Sequence, residues 1–203
     1  MIAIIDYKMG NLQSVKNALN LFTDDIKIEN DPDKLKNYDK VLLPGVGAYK
    51  DAMLHLKENG MDSSVKEFVK SGKPLLGICL GMQLLLESST EFGKTEGLGL
   101  IPGEVVKFDK QKFQTPHKIP HMGWNRVFQQ QKSDILKGLA DEFYLYFVHS
   151  YHAKTEDKYI LTKTNYGYEF ASSVIKDNIV GFQPHPEKSH GNGLKIIKNF
   201  VEM

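Results

Sequence analysis

A single cysteine, Cys79, lies between two glycines in Gly77-Ile78-Cys79-Leu80-Gly81, after an apolar run and before the helix-competent stretch Met82 to Glu87. This is the layout of a nucleophile elbow with sulfur in place of oxygen. The flanking glycines let the chain turn sharply, and the thiol is presented at a helix start, where unpaired amides stabilise negative charge. The amide of Leu80 then faces any oxyanion formed at a carbonyl that Cys79 attacks. The same pattern also describes a buried, inert cysteine at a tight strand-to-helix turn, and locally the two readings weigh equally.

A nucleophilic cysteine needs a base, and the chain has seven histidines. His55 falls in a surface-like helical stretch, His117 and His121 in a connector, His149 and His152 near a strand end, and His190 before the last helix. His185 differs. It follows the apolar run Ile179-Val180-Gly181-Phe182, and Glu187 stands two residues on, on the same side of an extended backbone. A carboxylate there holds the imidazole in the tautomer that serves the thiol. Pro184 and Pro186 bias Gln183 and His185 toward extended conformations. Taken alone, His-x-Glu reads more readily as a surface loop or half of a metal pair. No His-Glu-x-x-His or Cys-x-x-Cys supports a dedicated metal site. Pro44-Gly45-Val46-Gly47 follows another apolar run; it is either an ordinary strand-to-helix loop or a second source of oxyanion-binding amides.

These residues need a scaffold that brings strand ends together. Ile2 to Ile5, Val41 to Leu43 and Pro74 to Ile78 read as short buried strands. Between them Leu12, Val15, Leu19 and Phe22, then Met53, Leu54 and Leu56, then Met61, Val65, Phe68 and Val69 recur as helix faces. Strand and helix alternate, which predicts an open, mostly parallel α/β sheet with helices on both faces. After residue 97 the runs become shorter, β-branched and aromatic: 103–108, 144–148, 159–164, 170–175 and 179–182. They predict an antiparallel extension or a small second layer, with 111–118 and 129–133 as polar connectors. Leu194, Ile197 and Val201 share the face of a closing helix. In such sheets sites collect at the C-terminal ends of strands, where Gly47, Cys79 and His185 all fall.

Composition removes several alternatives. The 203 residues suit one domain, 1–203, with a substantial core. Formal net charge is +1, and the cations are lysines except for Arg126, so a nucleic-acid partner is not expected. One cysteine cannot form an intrachain disulfide. The longest uncharged stretch, Pro74 to Leu86, is too short to span a bilayer, and the N-terminus has no basic leader. The expectation is a cytoplasmic protein without membrane partners.

Taken together, the chain resembles the class I, or triad, glutamine amidotransferases, and within them the glutaminase subunits of imidazole glycerol phosphate synthase. Six segments carry the likeness in order: Ile4-Ile5-Asp6-Tyr7 with Met9-Gly10-Asn11-Leu12, Leu43 to Ala48, Gly77 to Gln83, Pro120-His121-Met122-Gly123-Trp124-Asn125, Phe147 to Tyr151, and His185 to Ser189. The resemblance implies Cys79, His185 and Glu187 as the triad and Val46, Gly47 and Leu80 as the oxyanion hole. It implies Gln83, Glu91, Ser150 and Tyr151 as the grip on L-glutamine, with no cofactor. It also implies a (β/α)8-barrel cyclase subunit as partner, met by Trp124, Asn125, Tyr146 and Lys188, with ammonia channelled between the two for histidine biosynthesis. Three positions depart from the family pattern: Lys8, often glycine; Tyr49, commonly phenylalanine; and Pro184, usually aromatic. A related glutaminase feeding a surface-polysaccharide amidotransferase is the nearest alternative. A non-catalytic binding module is disfavoured because all three triad residues are present.

Overall fold

The computed structural model describes residues 1–203. One sheet of thirteen strands organises it: β1 (Ile2–Ile5), β2 (Ile26–Glu29), β3 (Lys40–Leu43), β4 (Leu75–Ile78), β5 (Ser88–Ser89), β6 (Thr95–Glu96), β7 (Glu104–Lys107), β8 (His121–Gln129), β9 (Glu142–His149), β10 (Tyr151–Lys154), β11 (Ile160–Asn165), β12 (Glu169–Lys176) and β13 (Ile179–Phe182). The helices are α1 (Leu12–Leu19), α2 (Tyr49–Glu58), α3 (Met61–Lys70), α4 (Leu80–Leu84) and α5 (His190–Glu202).

Five strands run parallel in the order β2-β1-β3-β4-β13. Alternate side chains of this half leave on opposite faces, and both faces are covered, which is why β1, β4 and β13 are apolar throughout. Ala3, Ile5, Val41, Leu43 and Leu75 pack with α2 and α3 through Ala52, Met53, Leu56, Val65 and Phe68. Ile2, Ile4, Leu42, Leu76 and Ile78 pack with α1 and α5 through Val15, Leu19, Ile196, Ile197 and Phe200. The Asn11 side chain starts α1 by accepting the Ser14 N–H at 3.2 Å.

The structure corrects the sequence reading in three places. A strand at Ile26–Glu29 precedes the one at Val41; only Glu29 of its four residues is buried, so it gives no apolar run to notice. Ile179–Phe182, grouped above with the antiparallel runs, is the fifth parallel strand, wedged between β4 and β12. His121 is not in a connector. It is buried and opens the nine-residue strand β8, which pairs antiparallel with β9 from His121↔His149 to Phe128↔Glu142. The remaining strands extend the same sheet beyond β12, all pairing antiparallel except β5 with β7, which run parallel. No helix is long and apolar enough to cross a membrane.

Candidate active site

Cys79 follows β4 directly and has φ 54 and ψ −113, a left-handed conformation that a non-glycine residue adopts only when its surroundings impose it. Three constraints impose it here. The Cys79 N–H is spent on the Phe182 carbonyl of β13 at 2.8 Å. The next residue opens α4, and Gly81 lies against the Leu43 carbonyl so closely that any Cβ would collide with it. The turn therefore packs only with glycine at 81, and the sulfur is pushed out at the end of the sheet. Leu80 stands in the first turn of α4, where amides have no intrahelical acceptor.

β13 ends beside β4, with Phe182 in register with Ile78, and this pairing carries His185 to the cysteine. The His185 N–H donates to the Tyr146 carbonyl of β9 at 2.9 Å, so Pro184, which has no N–H to offer, leaves the histidine anchored. The imidazole Nδ1 donates to Glu187 Oε1 at 2.8 Å; the two side chains are 4% and 2% exposed. The pair meets through a tight 3-10 turn, Pro186–Lys188, and not along an extended strand as the spacing predicts. Nε2 is buried, lacks a hydrogen-bond partner at ordinary geometry, and faces the cysteine side of the cavity. Burial alone pushes the imidazole pKa down, but hydrogen bonding and negative charge at the Cys79 sulfur, together with the Glu187 carboxylate, outweigh it and raise it to about 10.

Val46, Gly47, Cys79, Leu80, Gln83, Glu91, Ser150, Tyr151 and His185 line one cavity of about 310 Å³, within the range of small-ligand sites. Glu187 stands behind His185. All ten residues named from the sequence for catalysis and substrate binding thus converge. The Gly47 backbone, at φ +102, is one that L-side chains rarely adopt, so the Pro44-Gly47 turn depends on that glycine. Glu91 Oε2 accepts the Tyr49 N–H at 2.7 Å at the start of α2. Val148 and His149 also line the cavity, and Gln183 lies buried beside it; sequence reasoning missed all three as site residues. Lys8 has φ 69, which explains why glycine suits that position. A wider depression of about 500 Å³ beside Glu87, Pro102 and Lys154 contains no cysteine or histidine.

The four residues expected at a partner face separate into two sets. Trp124, 46% exposed, pairs across the ribbon with Tyr146 and stacks on the His190 ring at 5.2 Å and 4°. Lys188 is exposed in the turn that precedes α5. Asn125 faces the other side of β8, where its amide donates to His121 Nε2 at 3.2 Å and to the Asn165 carbonyl at 2.9 Å.

Behind the cavity His121, His149 and His152 pack among Phe108, Phe147, Phe170 and Tyr168. No three ligating side chains here converge on one point; His121 Nδ1 and His149 Nε2 bond to each other at 3.0 Å. Burial lowers His121 to about 4, with nearby His117 adding, and holds His149 well below its usual range. Both are neutral when folded and titrate near 6.5 when unfolded. The folded state therefore binds fewer protons below pH 6.5, and stability falls as pH drops through that window. His185, raised above its unfolded value, works the other way: the folded state already holds its proton at pH 7 while the unfolded state gains it only as pH falls through 6.5, which offsets a minor part of the loss. Lowering pH from 7 to 5 should cost roughly 2 kcal/mol through His121, with His149 acting in the same direction, and should lower Tm by several degrees. Calorimetry across that range checks it; a flat Tm would contradict neutral burial.

Comparison with known proteins matches this geometry. The sequence model described as Glutamine amidotransferase class-I matches residues 3–203. The Imidazole glycerol phosphate synthase subunit HisH of Sulfurimonas denitrificans is 61% identical over 203 residues, covering 100% of this chain and 98% of the relative. That of Wolinella succinogenes is 54% identical, with 100% of each chain covered. Among solved structures, PurLQS from Thermotoga maritima superposes with a TM-score of 0.78 at 18% identity over 99% of this chain and 97% of that one, a likeness of fold. The chain belongs to the class-I glutamine amidotransferases and, within them, to the family of the imidazole glycerol phosphate synthase subunit HisH.

Proposed function

We propose that this chain, acting as one amidotransferase domain, hydrolyses L-glutamine to glutamate and ammonia and passes the ammonia to a (β/α)8-barrel cyclase subunit that makes imidazole glycerol phosphate and AICAR. The observation that carries the reading is the single cavity shared by Cys79, His185, the Gly47 turn and the Gln83, Glu91, Ser150 and Tyr151 wall, with Glu187 bonded to the base.

The chemistry follows from the residues. Cys79 Sγ attacks the carboxamide carbon, and amides of Leu80 and the Val46-Gly47 turn hold the oxyanion. As the tetrahedral intermediate collapses, His185 gives its proton to the departing nitrogen and ammonia leaves a thioester on Cys79. The same imidazole then takes a proton from water, whose oxygen attacks the thioester and releases glutamate. Gln83, Glu91, Ser150 and Tyr151 grip the amino-acid end of the substrate.

Ammonia set free in neutral water becomes ammonium and loses its nucleophilicity, so the product requires a closed route to its acceptor. The face formed by exposed Trp124 and Lys188 with half-buried Tyr146 supports a docking site for the cyclase, and Tyr146 bonds through its backbone to His185 itself. A thiol that must stay reduced suits the cytoplasm, where we place the chain.

The test is glutamate release by the purified chain, alone and with the histidine-pathway cyclase of the same organism plus its nucleotide substrate. Stimulation of more than about 10-fold is expected, at least 1.4 kcal/mol of barrier. Absence of stimulation, with the cyclase active on free ammonia, would transfer the glutaminase to a different acceptor.

A further inference from the structure

Gln183 has no part in the triad, yet it is fully buried at the end of β13, its side-chain Nε2 3.8 Å from Cys79 Sγ, within the longer reach of a sulfur acceptor. An amide side chain can be turned either way, so its direction must be fixed by something that cannot. The fixed point is the Tyr151 carbonyl, which only accepts. Gln83 Nε2 donates to that carbonyl at 3.2 Å and to Gln183 Oε1 at 2.9 Å. With its oxygen committed to Gln83, Gln183 has only its NH2 group left to point at the sulfur.

The same carbonyl sets the other side of the network. His149 Nδ1 donates to it at 2.7 Å, so His149 Nε2 accepts from His121 Nδ1 at 3.0 Å, and His121 Nε2 accepts from the Asn125 amide at 3.2 Å. Every donor from Asn125 on β8 to Gln183, just after β13, is assigned, and no member has a second arrangement that satisfies its neighbours.

We propose that Gln183 is a further catalytic residue of this site, its amide N–H donating to the Cys79 sulfur and stabilising the thiolate, with Gln83, His149 and His121 as the positioning residues that aim it. The proposal rests on the glutaminase reading for its catalytic consequence. Its physical core, a donor on the sulfur, is measured without glutamine. A donor to an anion is worth more than one to a neutral acceptor, so its effect is concentrated on the charged nucleophile.

The groups that face the thiol from the surrounding elements are His185 after β13, Tyr7 after β1, His149 at the end of β9 and Gln83 in α4, with Glu91 on the far wall and Glu187 acting through His185. Gln183→Met changes none of these and approximates the volume. Because Cys79 is the only cysteine, loss of free thiol to iodoacetamide as a function of pH reports this sulfur alone. In Gln183→Met the alkylation midpoint should rise by about one pH unit, a tenfold fall in thiolate at fixed pH. With glutamine, kcat should fall about as much while KM holds. Gln183→Glu, which keeps the shape but sets a carboxylate against the sulfur, should raise the midpoint further. An unchanged midpoint in a folded Gln183→Met protein would overturn the proposal and leave Gln183 a packing residue, whatever the glutaminase assay gives. Should that variant fail to fold, Gln83→Met reads the same coupling, since it frees the Gln183 amide from its anchor; an unmoved midpoint there overturns the proposal equally.

Discussion

Cys79→Ala should abolish glutamate formation, by at least about 10⁴-fold, while the protein keeps its fold. The size follows from the mechanism: no other thiol exists in the chain, and no serine or threonine lines the cavity beside His185 except Ser150 on the opposite wall. Retention of the fold follows from the turn. Alanine occupies the same left-handed conformation as cysteine, the Cys79 N–H still reaches the Phe182 carbonyl, and only one sulfur atom is removed from a residue that is 8% exposed. A coupled glutamate assay together with a melting curve decides the matter. Turnover that survives in a folded variant would place the nucleophile elsewhere.

Glu187→Gln should slow the reaction nearly as severely, by about 10⁴-fold, because a carboxamide in that place no longer holds the imidazole in the tautomer and charge state the thiol requires. The pH profile carries a second signature. Glu187 is one of the two groups that raise His185 to about 10 against the downward push of burial. With it neutralised, the imidazolium loses its proton at lower pH, and the alkaline limb of the rate profile should move toward acid. Rate and profile both unchanged would make Glu187 a structural residue of the turn before α5. A slower rate with an unmoved profile would mean that orientation, and not charge, is what the carboxylate supplies.

The parts of the site that stand at unusual backbone positions were legible from the sequence. Cys79 between Gly77 and Gly81, the Gly47 turn and His185 between two prolines each announce a sharp or stiff junction at a strand end, and the alternating apolar runs place those ends on one edge of a parallel sheet. Gln183 and His149 were not legible, because a buried polar residue inside an aromatic or apolar strand looks like a break in its pattern until its partners, at Gln83, Tyr151 and His121, are brought across from other strands. The meeting of His185 and Glu187 was expected for an inexact reason: the side chains share a side through a 3-10 turn. Strand β2 was missed because an edge strand that buries one residue in four has little hydrophobic signal to give. The position of β13 could not be read either, since a short apolar run carries no information about which neighbour it will pair with or in which direction.

That position has a consequence for how the molecule comes into being. Gln183 lies 104 residues downstream of Cys79, and the strand before it is the one that seals the open side of β4. A chain still on the ribosome can assemble β2-β1-β3-β4 with their helices, but it ends in an unpaired apolar edge and presents a cysteine with no base. Closing the edge and completing the enzyme are the same event. The nucleophile is therefore kept chemically idle during synthesis, and any truncation before residue 179 removes a stabilising strand and the catalytic histidine together.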